Sequence, residues 1–200
     1  MINGLKLNFA NRITIFRILA VPFFIAVLLY YSPQRDYLRN VALGIFLFAV
    51  ISDVIDGYIA RTRHQKTQAG AILDPLADKF LLISAFICLY KIGEQLPFIH
   101  LPLWLVVTVI SRDIILLIGA LLIFMVHGQV PVEATKWGKI STFFQVTAVI
   151  GMLLQWPISV ATWYVALVFA VISGIDYIRY GIKVLNLPRG QVSAVIGQKI

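Results

Sequence analysis

The sequence is poor in cysteine, in histidine and in charge. Cys88 is the single cysteine among 200 residues, so an intrachain disulfide and a cysteine-based metal site are both excluded. The three histidines, His64, His100 and His127, show no metal-ligand spacing. Charged residues make up 13% of the chain, against about 25% in typical soluble domains. The composition therefore does not indicate a soluble globular protein.

Long apolar stretches take up most of the remainder. Hydrophobic residues account for 60% of the chain, and several stretches approach the roughly 20 residues that cross a hydrocarbon core as a helix. We predict an all-α integral membrane protein with six transmembrane helices, forming a single domain over residues 1–200. The predicted spans are 13–31, 37–62, 70–91, 101–126, 138–156 and 160–184. Residues 5–12 mix apolar and polar side chains, which predicts a short N-terminal interfacial helix. They show no signal-peptide cleavage site, so we expect the first span to be retained.

The distribution of basic residues predicts the orientation in the membrane. Six spans place both termini on one side, and twelve basic residues, Arg17 among them, lie on that side. The opposite side carries three, Arg35, Arg39 and Lys91. The positive-inside rule then places the termini in the cytoplasm. The net charge of +8 is explained by topology and anionic head groups, and no nucleic-acid partner is predicted.

Four aspartates stand out because their surroundings are apolar. Asp53 and Asp56 are three residues apart and Asp74 and Asp78 are four apart, so each pair lies on one helix face. A short loop makes the two helices antiparallel neighbours, and we expect all four carboxylates to converge near the cytoplasmic side. An acid at bilayer depth costs roughly 2.5 to 3.5 kcal/mol, and a bound cation would offset that cost. Oxygen donors favour Mg²⁺, Mn²⁺ or Ca²⁺ over zinc. Helix capping or pairing with Arg or Lys remains an alternative for one of the four.

The segment from 53 to 78 reads D-x2-D-G-x2-A-R-x8-G-x3-D-x3-D, and it resembles the signature of the CDP-alcohol phosphotransferase family. That resemblance implies transfer of a phosphatidyl or related group from a CDP-linked donor to an alcohol, with release of CMP. It also implies that Asp53, Asp56, Asp74 and Asp78 bind Mg²⁺ or Mn²⁺, with two ions expected, and that Asp78 is in addition the catalytic base. A homodimer is implied as well. The implied donor-binding residues are Asp53, Asp56, Gly57, Ala60, Arg61 and Gly70, together with Asn11 just before the first span and Thr14 near its start.

The acceptor alcohol is indicated less directly. Arg112, Lys136, Lys139 and Arg179 are predicted to form a basic pocket for an acceptor phosphate. Alternatively, the last three are positive-inside charges, and Arg112 pairs with Asp113. The segments 11–22 and 138–145 resemble family members that use glycerol 3-phosphate, although Ser141 stands where many of those have lysine. We therefore expect transfer from CDP-diacylglycerol to sn-glycerol 3-phosphate.

Three alternatives remain at this point. Phosphatidylglycerol or inositol phosphate could be the acceptor, as in cardiolipin synthases that release CMP or in phosphatidylinositol-phosphate synthases. A cation or proton transporter would also contain intramembrane acids. Such a transporter is expected to place its acids at the midplane of repeated halves. The acids here cluster toward one face, and the sequence shows no repeat.

Overall fold

Six α-helices make up most of the described chain, in a computed structural model that describes residues 9–62, 68–96, 101–127 and 136–185. The helices are α1 (Phe9–Leu29), α2 (Tyr37–Thr62), α3 (Gln68–Ile92), α4 (Leu103–His127), α5 (Lys136–Leu153) and α6 (Ser159–Leu185). Short 3₁₀ helices follow α1 and α3, at Pro33–Arg35 and Gly93–Gln95. No strand occurs in these four ranges, and the all-α prediction is confirmed.

Each of the six predicted spans is a helix, with small differences at the ends. Residues 9–12, predicted as part of a separate interfacial helix, belong to the start of α1, and residues 5–8 lie outside the described part of the chain. Helix α5 ends at Leu153, before the predicted 156, because Gln155 adopts a left-handed conformation with φ of 56°. Its N–H donates to the Met152 carbonyl at 3.0 Å, and the Trp156 N–H donates to the Gly151 carbonyl at 2.9 Å. This pattern is the Schellman motif that terminates many helices.

The helices present an apolar surface. Within the described residues, Tyr37–Ile55 and Ser159–Arg179 are long and apolar enough to cross a membrane, and Phe16–Leu29 is a shorter apolar helix. Large apolar side chains are widely exposed, Phe23 by 67% and Met125 by 73%. Exposed apolar surface on this scale is unusual for a protein in water. It suits contact with lipid.

The chain forms two compact units, and the first comprises Met1–Leu101 and Val149–Pro157. In this unit α1 packs against both α2 and α3. Phe24 of α1 and Phe46 of α2 are fully buried, with ring centroids 5.9 Å apart. Close van der Waals packing of such side chains holds membrane helices together, so these contacts fix α1 along α2. That packing positions the polar residues described below.

A polar cluster holds the start of α2 to the end of α5. Arg39 forms a bidentate ion pair with Asp36. Its Nε donates to Oδ1 at 3.0 Å and its Nη2 donates to Oδ2 at 2.8 Å. Its Nη1 donates to the Leu153 carbonyl at 2.9 Å, one of the carbonyls that a helix end leaves unpaired. The hydrogen bonds from Arg39 hold the pKa of Asp36 below its ordinary value. Burial, followed by the nearby Asp36 charge, raises the pKa of Tyr31.

The second unit comprises Pro102–Ala148 and Ile158–Ile200, and in it α4 packs against α6. The approach of these helices is close at Gly119, where an added Cβ would lie 2.7 Å from Cε1 of Tyr177. Phe169 of α6 stacks on Phe144 of α5, with ring centroids 5.6 Å apart. The expectation of a single domain over residues 1–200 stays a prediction.

Candidate active site

Three helices of the first unit bring one arginine and two of the predicted site aspartates together. Arg17 of α1 places its Nη1 atom 2.9 Å from Asp53 Oδ1 of α2 and 2.7 Å from Asp78 Oδ1 of α3. The two carboxylate oxygens therefore cannot be further apart than the sum of those distances. The Arg17 side chain is 1% exposed, whereas those of Asp53 and Asp78 are 40% and 33% exposed. The acids thus face outward from a buried cation.

This arrangement brings two of the four predicted acids together. Residues 53 and 78 are 25 positions apart in the sequence, and the packing of α1 against both α2 and α3 brings their carboxylates to one point. Asp56 lies in α2 and Asp74 in α3, as predicted. Their side chains lie outside the described part of the structure. The convergence of Asp56 and Asp74 with Asp53 and Asp78 stays a prediction.

The predicted donor-binding residues have the same status. Asn11 and Thr14 lie in α1, Gly57, Ala60 and Arg61 lie in α2, and Gly70 lies in α3. The side chains at these positions fall outside the described residues, as does the loop from 63 to 67. The structure therefore confirms the helices that carry these residues, and their roles stay predictions.

Arg17 is the site residue that the sequence analysis missed. Sequence reasoning counted it among the cytoplasmic charges that set topology, but the structure shows it buried and ion-paired. A signal was available, because Arg17 lies in the apolar run Ile15-Phe16-Arg17-Ile18-Leu19. A charged residue inside such a run has a structural or functional partner more often than not.

The acids have the chemistry that a hard divalent cation requires. A guanidinium nitrogen lies within 3 Å of one oxygen from each acid, so both carboxylates can contact the same positive charge. Mg²⁺ and Mn²⁺ prefer carboxylate oxygens and commonly complete their coordination with substrate phosphates. Among the described residues no three Asp, Glu, His or Cys side chains form a cluster, since only two of the four predicted ligands fall within them. The residues present fit a metal site without completing it.

Arg112 of the second unit is also buried and paired. Its Nη1 lies 2.5 Å from Asp113 Oδ1, and its Nη2 donates to Ser173 Oγ of α6 at 2.6 Å. The side chains of Arg112 and Asp113 are 5% and 1% exposed. The sequence-based alternative that Arg112 pairs with Asp113 is therefore correct, and Ser173 is a partner that the sequence did not reveal.

The other predicted acceptor-binding residues are placed differently. Lys139 of α5 and Arg179 of α6 are exposed, and the side chain of Lys136 lies outside the described residues. Arg112 lines a cavity of about 350 Å³ between α4 and α6, together with Ser111 and Gly174. Neither Lys139 nor Arg179 lines this cavity. A shared acceptor pocket built from all four residues stays a prediction.

An apolar groove lies between two helices of the first unit. It has a volume of about 560 Å³ and lies between α1 and α2. Its lining residues are Phe16, Leu19, Ala20, Phe23, Gly44, Ile45 and Phe48. Phe16 directly precedes Arg17, and an added Cβ at Gly44 would meet no atom within 4 Å. The groove therefore has room for further apolar groups.

Comparison with known proteins identifies related sequences over most of the chain. A family model described as CDP-alcohol phosphatidyltransferase matches residues 7–172. A probable phosphatidylglycerophosphate synthase of Mycobacterium tuberculosis is 35% identical over 182 residues, covering 88% of this chain and 82% of the relative. A CDP-diacylglycerol–glycerol-3-phosphate 3-phosphatidyltransferase of Bacillus subtilis is 33% identical over 187 residues, covering 85% and 93%. A protein of the same name from Haemophilus influenzae is 31% identical over 182 residues, covering 88% and 94%.

Proposed function

The chain belongs to the CDP-alcohol phosphatidyltransferase family, and from that premise we propose that it transfers a phosphatidyl group from CDP-diacylglycerol to sn-glycerol 3-phosphate. The products are phosphatidylglycerophosphate and CMP. The observation that carries the proposal is the match, over at least 85% of this chain, to relatives named for this reaction. The convergence of Asp53 and Asp78 on one point supports the same chemistry.

The four acids have two different roles in the proposed reaction. Asp53, Asp56 and Asp74 would hold one or two Mg²⁺ or Mn²⁺ ions, which neutralise and orient the donor pyrophosphate. Asp78 accepts the proton of the acceptor hydroxyl while that oxygen attacks the phosphorus of the phosphatidyl group. The bond from this phosphorus to the bridging pyrophosphate oxygen breaks, and CMP leaves with the electron pair. The exposed fraction of Asp78, 33%, leaves its carboxylate open to an acceptor.

The membrane arrangement follows from the helices and their charges. We propose that all six helices cross the bilayer and that the N-terminal residues lie at the interface. The termini and the acids then face the cytoplasm, as the distribution of basic residues predicts. Exposed apolar side chains on α1, α4 and α5, such as Phe23, Met125 and Phe143, support lipid contact beyond the two helices that are apolar and long enough by themselves. The homodimer and the contacts with other membrane lipids stay predictions.

The apolar groove between α1 and α2 suits one acyl chain of the donor. It lies between α1 and α2, the helices that carry Arg17 and Asp53, and apolar side chains of both helices line it. A hydrocarbon chain of the donor lying along these two helices would contact those side chains. A substitution at Gly44 that fills the groove tests this assignment.

An acceptor panel tests the proposed reaction. Purified protein is given CDP-diacylglycerol, Mg²⁺ or Mn²⁺, and separately glycerol 3-phosphate, phosphatidylglycerol or inositol phosphate, and the lipid products are identified by mass spectrometry. We expect phosphatidylglycerophosphate with the first acceptor and little product with the others. Cardiolipin or a phosphatidylinositol phosphate as the main product would replace the proposed acceptor.

The variant Asp78→Asn tests the proposed catalytic base. The amide cannot accept the hydroxyl proton, so we expect CMP release to fall by at least about 100-fold. Binding of the CDP donor, measured by displacement of a labelled CDP-lipid, should change little. Turnover close to that of the unmodified protein would remove Asp78 from the role of base.

A further inference from the structure

Arg17 lies on the protein side of the acid pair. Its side chain is 1% exposed, and the acids it contacts are 40% and 33% exposed. A ligand that approaches from outside meets the open sides of Asp53 and Asp78, while Arg17 holds their inner sides. The arginine can therefore remain in place while the acids take up another partner.

We propose that Arg17 is a positioning residue for the reaction, an internal counter-charge that fixes Asp53 and Asp78 relative to each other before the divalent cation and the donor bind. The proposal rests on the proposed function for the roles of the two acids. Both contacts use the same nitrogen, Nη1, so this nitrogen holds one oxygen of each carboxylate within 3 Å of itself. The three residues come from α1, α2 and α3, and the contact therefore also ties the three helices together at the site.

Electrostatics predicts opposite effects of Arg17 on cation binding and on turnover. A positive charge less than 3 Å from both carboxylates opposes the binding of a second cation to them. Removal of that charge should therefore tighten cation binding. Turnover should fall at the same time, because Asp78 would lose its ion pair with Arg17, which contributes to its orientation. A residue that only supported the fold would weaken both.

The experiment compares Arg17→Gln and Arg17→Lys with a matched control. Arg35→Gln removes the same charge at an exposed position on the 3₁₀ helix after α1. The dissociation constant for Mn²⁺ alone is measured in detergent by the electron paramagnetic resonance signal of the free ion. The kcat and the KM for glycerol 3-phosphate are measured on the same preparations.

We expect Arg17→Gln to bind Mn²⁺ about tenfold more tightly than the unmodified protein. Its kcat should fall by at least about tenfold, as is common when a catalytic group loses its fixed orientation, while the KM for the acceptor stays within about twofold. Arg17→Lys keeps the charge, so its Mn²⁺ affinity should be near that of the unmodified protein and its kcat intermediate. Arg35→Gln should change none of these values.

Weaker or unchanged Mn²⁺ binding by Arg17→Gln, or an unchanged kcat, would overturn the proposal. If Arg17→Gln does not yield folded protein, Arg17→Lys decides the question: unchanged kcat, or a weakened Mn²⁺ affinity, contradicts the positioning role. The Mn²⁺ measurement needs no substrate, so it separates this proposal from the proposed function. Suppose that Arg17→Gln binds Mn²⁺ more tightly but the unmodified protein makes no phosphatidylglycerophosphate. The role of Arg17 as a counter-charge would then stand, and glycerol 3-phosphate would be rejected as the acceptor.

Discussion

Arg112 tests whether a buried charge in this chain serves stability, substrate binding or both. Its guanidinium is 5% exposed and contacts Asp113 at 2.5 Å and Ser173 at 2.6 Å. Removing one partner of a buried ion pair costs about 3 to 5 kcal/mol. We expect Arg112→Gln to lower the free energy of unfolding by about 3 kcal/mol, at the low end of that range, because the glutamine amide can still donate a hydrogen bond.

Two further variants separate the contributions. Ser173→Ala removes the hydrogen bond to Arg112 and leaves the ion pair. We expect a loss of about 0.6 kcal/mol, the average for hydrogen bonds between membrane helices, and no more than about 1.7 kcal/mol, the largest such value. Lys139→Gln changes an exposed residue of the same predicted acceptor pocket, and its effect on stability should stay within about 0.5 kcal/mol. If the pocket prediction is right, Lys139→Gln nevertheless raises the KM for glycerol 3-phosphate.

Unfolding by SDS in mixed detergent micelles, followed by tryptophan fluorescence, measures stability, and product formation measures the KM. Arg112→Gln with a stability within about 0.5 kcal/mol of the unmodified protein would refute the reasoning from burial. If Arg112→Gln unfolds more easily but keeps its KM for glycerol 3-phosphate and changes only the amount of active enzyme, Arg112 is a structural residue. An unchanged KM in Lys139→Gln as well would leave the predicted pocket without support from either variant.

Three other predictions concern the groove, a helix end and a pH response. Gly44→Leu should raise the KM for a long-chain CDP-diacylglycerol but not for a short-chain one. The control is Gly181→Leu, at another described glycine with no atom near an added Cβ, and it should change neither KM. Equal effects of the two substitutions on the KM for the long-chain donor would contradict an acyl chain in the groove. Gln155→Gly should raise the free energy of unfolding by up to about 1 kcal/mol, because glycine adopts the left-handed conformation without a Cβ penalty; no gain in SDS unfolding would argue against that backbone strain. Arg39 lowers the pKa of Asp36, so this ion pair stabilises the fold above the ordinary carboxyl pKa of about 4, and that stability is lost as pH falls through the lowered pKa. In thermal unfolding, Asp36→Asn should therefore lose less stability between neutral and acid pH than the unmodified protein does. An identical loss in the two proteins would contradict this role of the ion pair.

The helices could be predicted from the sequence because their signals are local. Apolar length gave the number of helices, and the proline and glycine residues between them gave most of the ends. The end of α5 shows the limit of this reasoning. Pro157 predicts a stop near 156, but the helix ends at Leu153 because Gln155 takes a left-handed conformation, and glutamine carries little signal for that position.

The site could be predicted only where its residues form a pattern along the chain. Asp53 and Asp78 belong to a spaced motif, and the structure brings them together. Arg17 and Ser173 belong to no such spacing. Ser173 lies 61 positions from Arg112, and a contact over that distance depends on how α4 and α6 pack. Sequence position alone could not separate the buried Arg17 from an arginine that extends to the membrane surface.

The Arg17 contact also changes the argument for a metal. From the sequence, a bound cation was the predicted means of offsetting the cost of burying the four acids, with capping or pairing as an alternative for one of them. Among the described residues, Arg17 provides a positive charge inside the protein for two of the four acids, so stability alone no longer demands a metal at Asp53 and Asp78. We still predict a metal for the reaction, because a pyrophosphate carries negative charge of its own and would be repelled by the acids. A cation that binds with the donor, on the open side of the acids, satisfies both requirements and leaves Arg17 where it lies.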